Sequence, residues 1–397
     1  MPLTVRLGAN QDRRIRAGHC WVFSNELATD VAALPAGGAV IVEDARGRYL
    51  GTGYANPNSL IAVRILTRDP ADDIDDAAFY QRRIEAAARL RATVMPRQRS
   101  HRLVAAEADD LPGLIIDRYE DVAAVVVGTL GLEVRKPLLR EALQATGLVS
   151  GAILRDQSAS RRLEGLPQGE PSLWFGEVPA QVPFQENGVS LLADLRHGQK
   201  TGFFFDQAHN RAAAFGMANG RVLDVYANTG AWGIGALLHG ASEAVAIEVS
   251  APTCALITEN AQRNGVGDRL TVMCAEAWEA MSRLRAEKAR FDAVYFDPPA
   301  FAKSRKTAGV ALRAYRDHNA LAMQLVAPGG LLFTSSCSHH IEEERFWEEL
   351  MAAADRAHRR LRLIRRGGQA PDHPIHPAIP ETRYLKHLAF VVDGERP

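Results

Sequence analysis

From about residue 186 onward the chain alternates strongly apolar runs with helix-length amphipathic segments, and this alternation restricts its fold more than any other feature. The runs are RVLDVYAN (221–228), AVAIEVS (244–250), RLTVMCA (269–275), FDAVYFD (291–297) and GLLFTSSCS (330–338). Apolar strands separated by helices pack as parallel neighbours covered on both faces. The order predicts an α/β fold, a doubly wound parallel sheet that binds ligands beyond the carboxyl ends of its strands.

Before that point the texture differs. Residues 1–73 read as a small β-rich unit with AVIVED, YLGTGYA and LIAVRIL as strands between Gly, Asn and Pro turns, and Asp69 to Asp76 then reads as a linker. A helix is expected over Ala77 to Val94, followed by RLVAAEAD, GLIIDRY and VAAVVV as a strand meander. A helix from about Glu133 to Ala145 and the strands GAILRDQ and SLWFGEV complete a middle α+β unit over 74–185. With 397 residues the chain exceeds one ordinary core, so two or three domains are expected.

No apolar run approaches the roughly 20 residues that span a bilayer, and Met1 to Arg16 builds no signal-peptide core. A cytoplasmic chain with no membrane partner is expected. Cys20, Cys254, Cys274 and Cys337 have neither disulfide nor metal-ligand spacing, so no metal is expected and one cysteine is free for catalysis. Cys20, Cys254 and Cys274 are assigned to packing. Basic and acidic residues balance at 47 each, yet they are segregated. Seven arginines against Glu85 alone lie between Phe79 and Leu103, and Lys303 to Arg316 carries five basic residues and no acid. With Arg13, Arg14 and Arg16, these clusters point to phosphate contacts. A homodimer is the alternative to a single chain.

The first apolar run ends in Asp224-Val225-Tyr226-Ala227-Asn228-Thr229-Gly230 and opens onto the helix-forming AWGIGALL. Small residues at such a turn let the backbone approach a ligand, and Asn228 tolerates the left-handed geometry often given to Gly. Glu248, 24 residues after Asp224, ends the second run, where a carboxylate can accept both hydroxyl hydrogens of a ribose. That pair would also suit a dinucleotide. Glu276 after the third run and DPPAF after the fourth are instead typical of S-adenosylmethionine sites.

Asp297-Pro298-Pro299-Ala300-Phe301 makes a stiff exit from its strand, suited to holding the edge of a flat base through Pro298, Pro299 and Phe301. Cys337 ends the next run and lies beside Asp297 if the two strands are neighbours. A thiol has a specific use here. Carbon 5 of cytosine is a poor nucleophile, and thiolate addition to carbon 6 makes it enamine-like, able to take a methyl group before proton loss expels the thiol. Asp297, hydrogen-bonded at N3, would stabilise the charge that develops.

With these residues placed, the chain resembles the bacterial PUA-containing class I methyltransferases that make 5-methylcytosine in large-subunit (23S) ribosomal RNA. The resemblance runs from Gly18-His19-Cys20-Trp21-Val22-Phe23, through Asp110-Leu111-Pro112-Gly113-Leu114 and Gly198-Gln199-Lys200-Thr201-Gly202-Phe203, to Asp297-Pro298-Pro299, Ser336-Cys337-Ser338 and Asp372-His373-Pro374. It implies a PUA domain over 1–73 for RNA, a central α+β domain over 74–185, and a Rossmann-like S-adenosylmethionine-dependent catalytic domain over 186–397. It also implies that Lys200, Thr201, Phe203, Asp206 and Gln207 help to wall the cofactor pocket. Four departures stand out: Cys20 replaces a Pro, the usual Arg after Gln207 is absent, Glu276 replaces an Asp, and Ala300 stands where two-cysteine enzymes carry a second thiol.

Methylation of a guanine or an exocyclic nitrogen would need no nucleophile, so Cys337 separates that reading from the first. An assembly factor with a degenerate site would not need Asp224, Glu248, Asp297 and Cys337 together. An oxidoreductase would call for a GxGxxG turn, which residues 224–230 do not supply.

Overall fold

The structure, a computed structural model, describes residues 2–302 and 305–395. Lys303 of the basic segment lies outside them. The chain divides into two compact units: residues 1–182 with 194–202 and 371–382, and residues 183–193 with 203–370 and 383–397. No helix among the described residues is long and apolar enough to cross a membrane.

The first unit holds two five-stranded sheets. One comprises β1 (Leu3–Arg6), β2 (Trp21–Phe23), β3 (Ala39–Glu43), β4 (Tyr49–Ala55) and β5 (Ile61–Thr67), in the order β1-β3-β4-β5-β2. The other comprises β6 (His101–Ala105), β7 (Leu114–Tyr119), β8 (Val122–Val127), β9 (Gly151–Leu154) and β10 (Ser172–Phe175), in simple reverse order across the sheet. Tyr54 joins the cores, its hydroxyl donating to Pro112 O at 2.7 Å. The Asp-rich stretch is an ordered turn: Asp72 accepts from Thr67, Asp75 pairs with Arg135, and Asp76 caps the helix Ala77–Val94 by accepting from Ala78 N.

The arginines between Phe79 and Leu103 are largely engaged within their own unit. Tyr80, Ile84, Ala87 and Arg91 recur at helical spacing on the buried face of the helix Ala77–Val94. Arg91 is fully buried, and its guanidinium holds Asp109 bidentately while donating to Arg102 O and Asp372 O. Arg102 in turn holds buried Asp117. Arg82, Arg83 and Arg99 pair with acids as well. Most of this cluster therefore neutralises its own unit.

The second unit carries the hairpin β11 (Val182–Glu186) and β12 (Val189–Ala193), and a seven-stranded sheet. Its strands are β13 (Arg221–Val225), β14 (Glu243–Glu248), β15 (Leu270–Cys274), β16 (Phe291–Phe296), β17 (Val326–Ser336), β18 (Arg359–Gly367) and β19 (Lys386–Glu395). Their order is β15-β14-β13-β16-β17-β19-β18, parallel except that β19 runs antiparallel between β17 and β18. The doubly wound expectation holds, and the direction of winding reverses between β13 and β16. Leu223, Val225, Phe296 and Leu332 bury one sheet face against Met281, Tyr315 and Phe346 of three helices. Each such apolar side chain contributes about 1.5–3 kcal/mol by leaving water. Asp224 faces the other side, where Gly233 N of the helix Ala231–Leu238 donates to it.

Candidate active site

The crevice at the winding reversal is built on the turn after β13. Tyr226, Asn228 and Gly230 have φ of +63°, +51° and +82°, a left-handed series that costs the two non-glycine residues about 1 kcal/mol or more each. Surrounding bonds fix it: Asn228 N donates to Glu248 at 3.1 Å, Asn260 donates to Thr229 O at 3.0 Å, and Ala227 N donates to Ile247 O at 3.0 Å. Asn228 Oδ1 and Thr229 Oγ1 are buried with no hydrogen-bond partner among the described residues. A buried polar atom without a partner costs about 1–3 kcal/mol, so this turn fits a polar ligand that supplies one. Asp224, which precedes the turn, is buried and accepts from Gly233 N, its carboxyl pushed up to about 7 by burial against the lowering effect of that N–H.

Glu248 is committed more fully than its position in the sequence suggests. One oxygen accepts from Val249 N and Ser250 N, the other from Asn228 N. A carboxylate offers about four lone-pair sites, so a hydroxyl can still bind alongside these. Glu276 is exposed and caps the helix Ala277–Ala286 by accepting from Trp278 N and Glu279 N.

At the ends of β16 and β17, parallel neighbours, a hydrogen-bonded row crosses the crevice. Asn210 donates to Gln207 Oε1 at 2.6 Å, which turns the Gln207 amide nitrogen toward Asp297 Oδ1 (2.8 Å) and Ser335 Oγ (2.9 Å). Ser335 continues to His387 Nδ1 at 2.9 Å. Burial holds the His387 imidazole down to about 3, so it is neutral near pH 7. Asp297 is pushed up to about 6, first by burial and then by the charge of Asp206, against the Gln207 bond and the Arg211 guanidinium. Asp206 accepts from Tyr384 OH at 2.7 Å. Arg211, two positions beyond the segment that lacks the family's usual arginine, is held bidentately by Glu186. Cys337 is partly exposed, its sulfur 4.0 Å from Pro298 O.

Asp224, Gln207, Glu248, Asp297 and Cys337 thus gather at the carboxyl edge of one sheet in the second unit. Phe203 is buried there among Phe184 and Phe205, with Arg211 over its ring. Tyr226 meets Phe296 edge-on, and Phe301 packs on Tyr315 and His318. Pro299 is exposed at the turn. Lys200 and Thr201 belong to the first unit, where Thr201 donates to Asp117 and Tyr119 OH donates to Thr201 O. Arg14 is tied to Glu26 and Arg16 to Asp12 and Asp44, whereas Arg13 is exposed. Cys20 and Cys254 are buried as assigned to packing, but Cys274 is exposed at the end of edge strand β15. Sequence reasoning missed Ser335, Tyr384, Lys386 and His387. Lys386 and His387 open β19, with Tyr384 two residues before it, and the strand's apolar run KHLAFVV was the available signal.

Residues 5–68 match the PUA-like domain family, and residues 202–348 match the family described as conserved hypothetical protein 95. The chain is 36% identical over 397 residues to ribosomal RNA large subunit methyltransferase I of Photobacterium profundum, covering 99% of this chain and 100% of that one. The chain belongs to the ribosomal RNA large subunit methyltransferase I family. The family member of Shewanella denitrificans is 37% identical over 394 residues, covering 98% and 99% of the two chains. A methyltransferase crystallised with SAH has the same fold, with a TM-score of 0.83 at 16% identity over 98% of this chain and 100% of that one. The chain thus carries a PUA-like N-terminal domain and has a Rossmann-like methyltransferase fold.

Proposed function

We propose that this chain, an S-adenosylmethionine-dependent methyltransferase of large-subunit ribosomal RNA, methylates carbon 5 of cytosine through Cys337. The observation that carries the reading is a partly exposed thiol at the end of β17, beside the Asp297-Pro298-Pro299 turn of the neighbouring strand. Bound S-adenosylmethionine supplies an electrophilic methyl group. Asp224, Tyr226, Asn228, Gly230, Glu248 and Glu276 would hold it, with Phe203, Asp206 and Gln207 as further wall residues. The thiolate of Cys337 forms a bond to carbon 6 of the base as the carbon 5–carbon 6 π bond breaks, and Pro298, Pro299 and Phe301 hold the base edge. Asp297, half protonated near pH 6, hydrogen-bonds N3. Carbon 5 uses the freed electron pair to take the methyl group, whose former bond pair stays with the donor sulfur, and proton loss from carbon 5 then restores the double bond and returns the sulfur–carbon 6 pair to Cys337. Ala300 supplies no second thiol, so product leaves by this elimination alone. The deciding experiment is incubation with labelled S-adenosylmethionine and unmodified ribosomal RNA. 5-Methylcytidine is expected among the nucleosides, and a methylated guanine would overturn the reading.

Two further expectations follow from the residues. Glu248→Ala should weaken S-adenosylmethionine binding by about 1.5–3 kcal/mol, the range for hydrogen bonds to a charged group, or roughly 10- to 150-fold in Kd. Calorimetry on the folded variant reads this directly, and unchanged affinity would remove Glu248 from the site. RNA binding is assigned to the segments 1–73 and 74–185, with Arg13, Arg14 and Arg16 as phosphate contacts. Because Arg14 and Arg16 are already paired, Arg13→Ala should lower the slope of log K against log salt by about 0.7–0.9, and Arg16→Ala by less. Equal slopes for the two variants would end this division.

A further inference from the structure

We propose that Lys386 is a positioning residue that acts through Cys337, its anchored ammonium holding the sulfur as a thiolate. The inference rests on the reading of Cys337 as the nucleophile and adds what that reading lacks. An ordinary cysteine is only a few per cent thiolate at neutral pH, too little for efficient addition to a pyrimidine.

The geometry is local. Lys386 opens β19 and pairs in register with Ser336, the residue before Cys337. Its side chain is buried, 7% exposed. Nζ donates to Ser338 O at 2.7 Å and to Tyr384 O at 2.8 Å, so the ammonium is fixed on the carbonyl of the residue after Cys337. Two carbonyls use two of its three N–H donors and neutralise none of its charge. A buried cation needs a counter-charge, and among the groups that act on Lys386 the first is Cys337, followed by Glu342 and Glu343, with Arg383 opposing. Glu343 already pairs with Arg366 and Arg383, and Glu342 is exposed, so both are weaker partners than their charges suggest. Burial brings the lysine down to about 8, which leaves it mainly protonated at pH 7. The sulfur gives its proton to solvent and keeps the electron pair beside a resident cation. Attraction between the two lowers the pH at which the thiolate forms.

The test is the rate of iodoacetamide alkylation at Cys337 in the full-length protein, followed by peptide mass spectrometry across pH 5 to 10. In the wild type, half-maximal reactivity is expected at least one unit below the ordinary thiol value of about 8.5. Lys386→Met should raise that midpoint and slow alkylation at pH 7 by about 10-fold, with Lys386→Arg closer to wild type. Exposed Cys274 serves as the internal reference and should not change. A wild-type midpoint at or above about 8.5 overturns the proposal without recourse to a variant, as does a folded Lys386→Met protein with the wild-type profile. The wild-type chain is tested in parallel for trapping on RNA containing 5-fluorocytosine. A shifted midpoint without trapping keeps the lysine–thiolate pair and removes the nucleophile, whereas trapping with an ordinary midpoint removes Lys386 and keeps the nucleophile.

Discussion

Cys337→Ala is expected to abolish both methyl transfer and covalent capture of RNA, while affinity for S-adenosylmethionine stays near wild type. The thiol acts on the base and not on the cofactor, so its loss removes an interaction made on the reaction path. RNA with 5-fluorocytosine at the target lacks the removable proton, so the wild-type protein should remain linked to it through this sulfur. The adduct should run as a protein–RNA band that survives denaturation. Cys254→Ala and Cys274→Ala should keep both activities, with buried Cys254 showing only a packing loss. Methylation by Cys337→Ala at a comparable rate would defeat the nucleophile assignment.

The largest loss of stability is expected from Glu186→Ala. Glu186 and Arg211 are both buried and meet through two bonds of 2.6 Å, and the guanidinium also donates to Phe204 O. Removing one partner leaves a buried charge without its counterion, a change that costs about 3–5 kcal/mol. Arg356→Ala, which breaks the exposed pair with Asp317, should cost under about 1 kcal/mol. Urea titrations of the two variants compare the effects directly, and similar losses would mean that the buried pair is weakly coupled. Arg211 also holds down the carboxyl of Asp297, so Arg211→Met should move that group above its present value of about 6.

What the sequence displayed was local. The helix Ala77–Val94 and the strands Tyr49–Ala55 and Val122–Val127 lie where periodicity and turn residues put them, because each element's own pattern decides its conformation. Asp297 and Cys337 were placed side by side on the condition that their strands are neighbours, and β16 and β17 do pair in parallel. Arg91 was counted in a cluster pointing to phosphate because composition does not reveal that Asp109 and Asp372 arrive from elsewhere in the chain to meet it. Likewise β19 enters between β17 and β18, a pairing set by long-range register, and with it come His387 and Lys386. Cys274 was assigned to packing because its strand is apolar, but β15 is the sheet edge and its last side chain is exposed.

The way the chain threads between its two compact units bears on how the protein is made. It passes from one to the other five times, at 182/183, 193/194, 202/203, 370/371 and 382/383. A ribosome delivers residues from the N-terminus onward. The first unit therefore waits for its own last segment, including Asp372, which accepts from Arg102 N and through its carbonyl from Arg91. Asp372 lies 270 residues beyond Arg102. Until it emerges, Arg91 and Arg102 hold Asp109 and Asp117 but lack their bonds to Asp372, so the first unit closes only after most of the second has been delivered, and no single cut in the chain releases either unit whole.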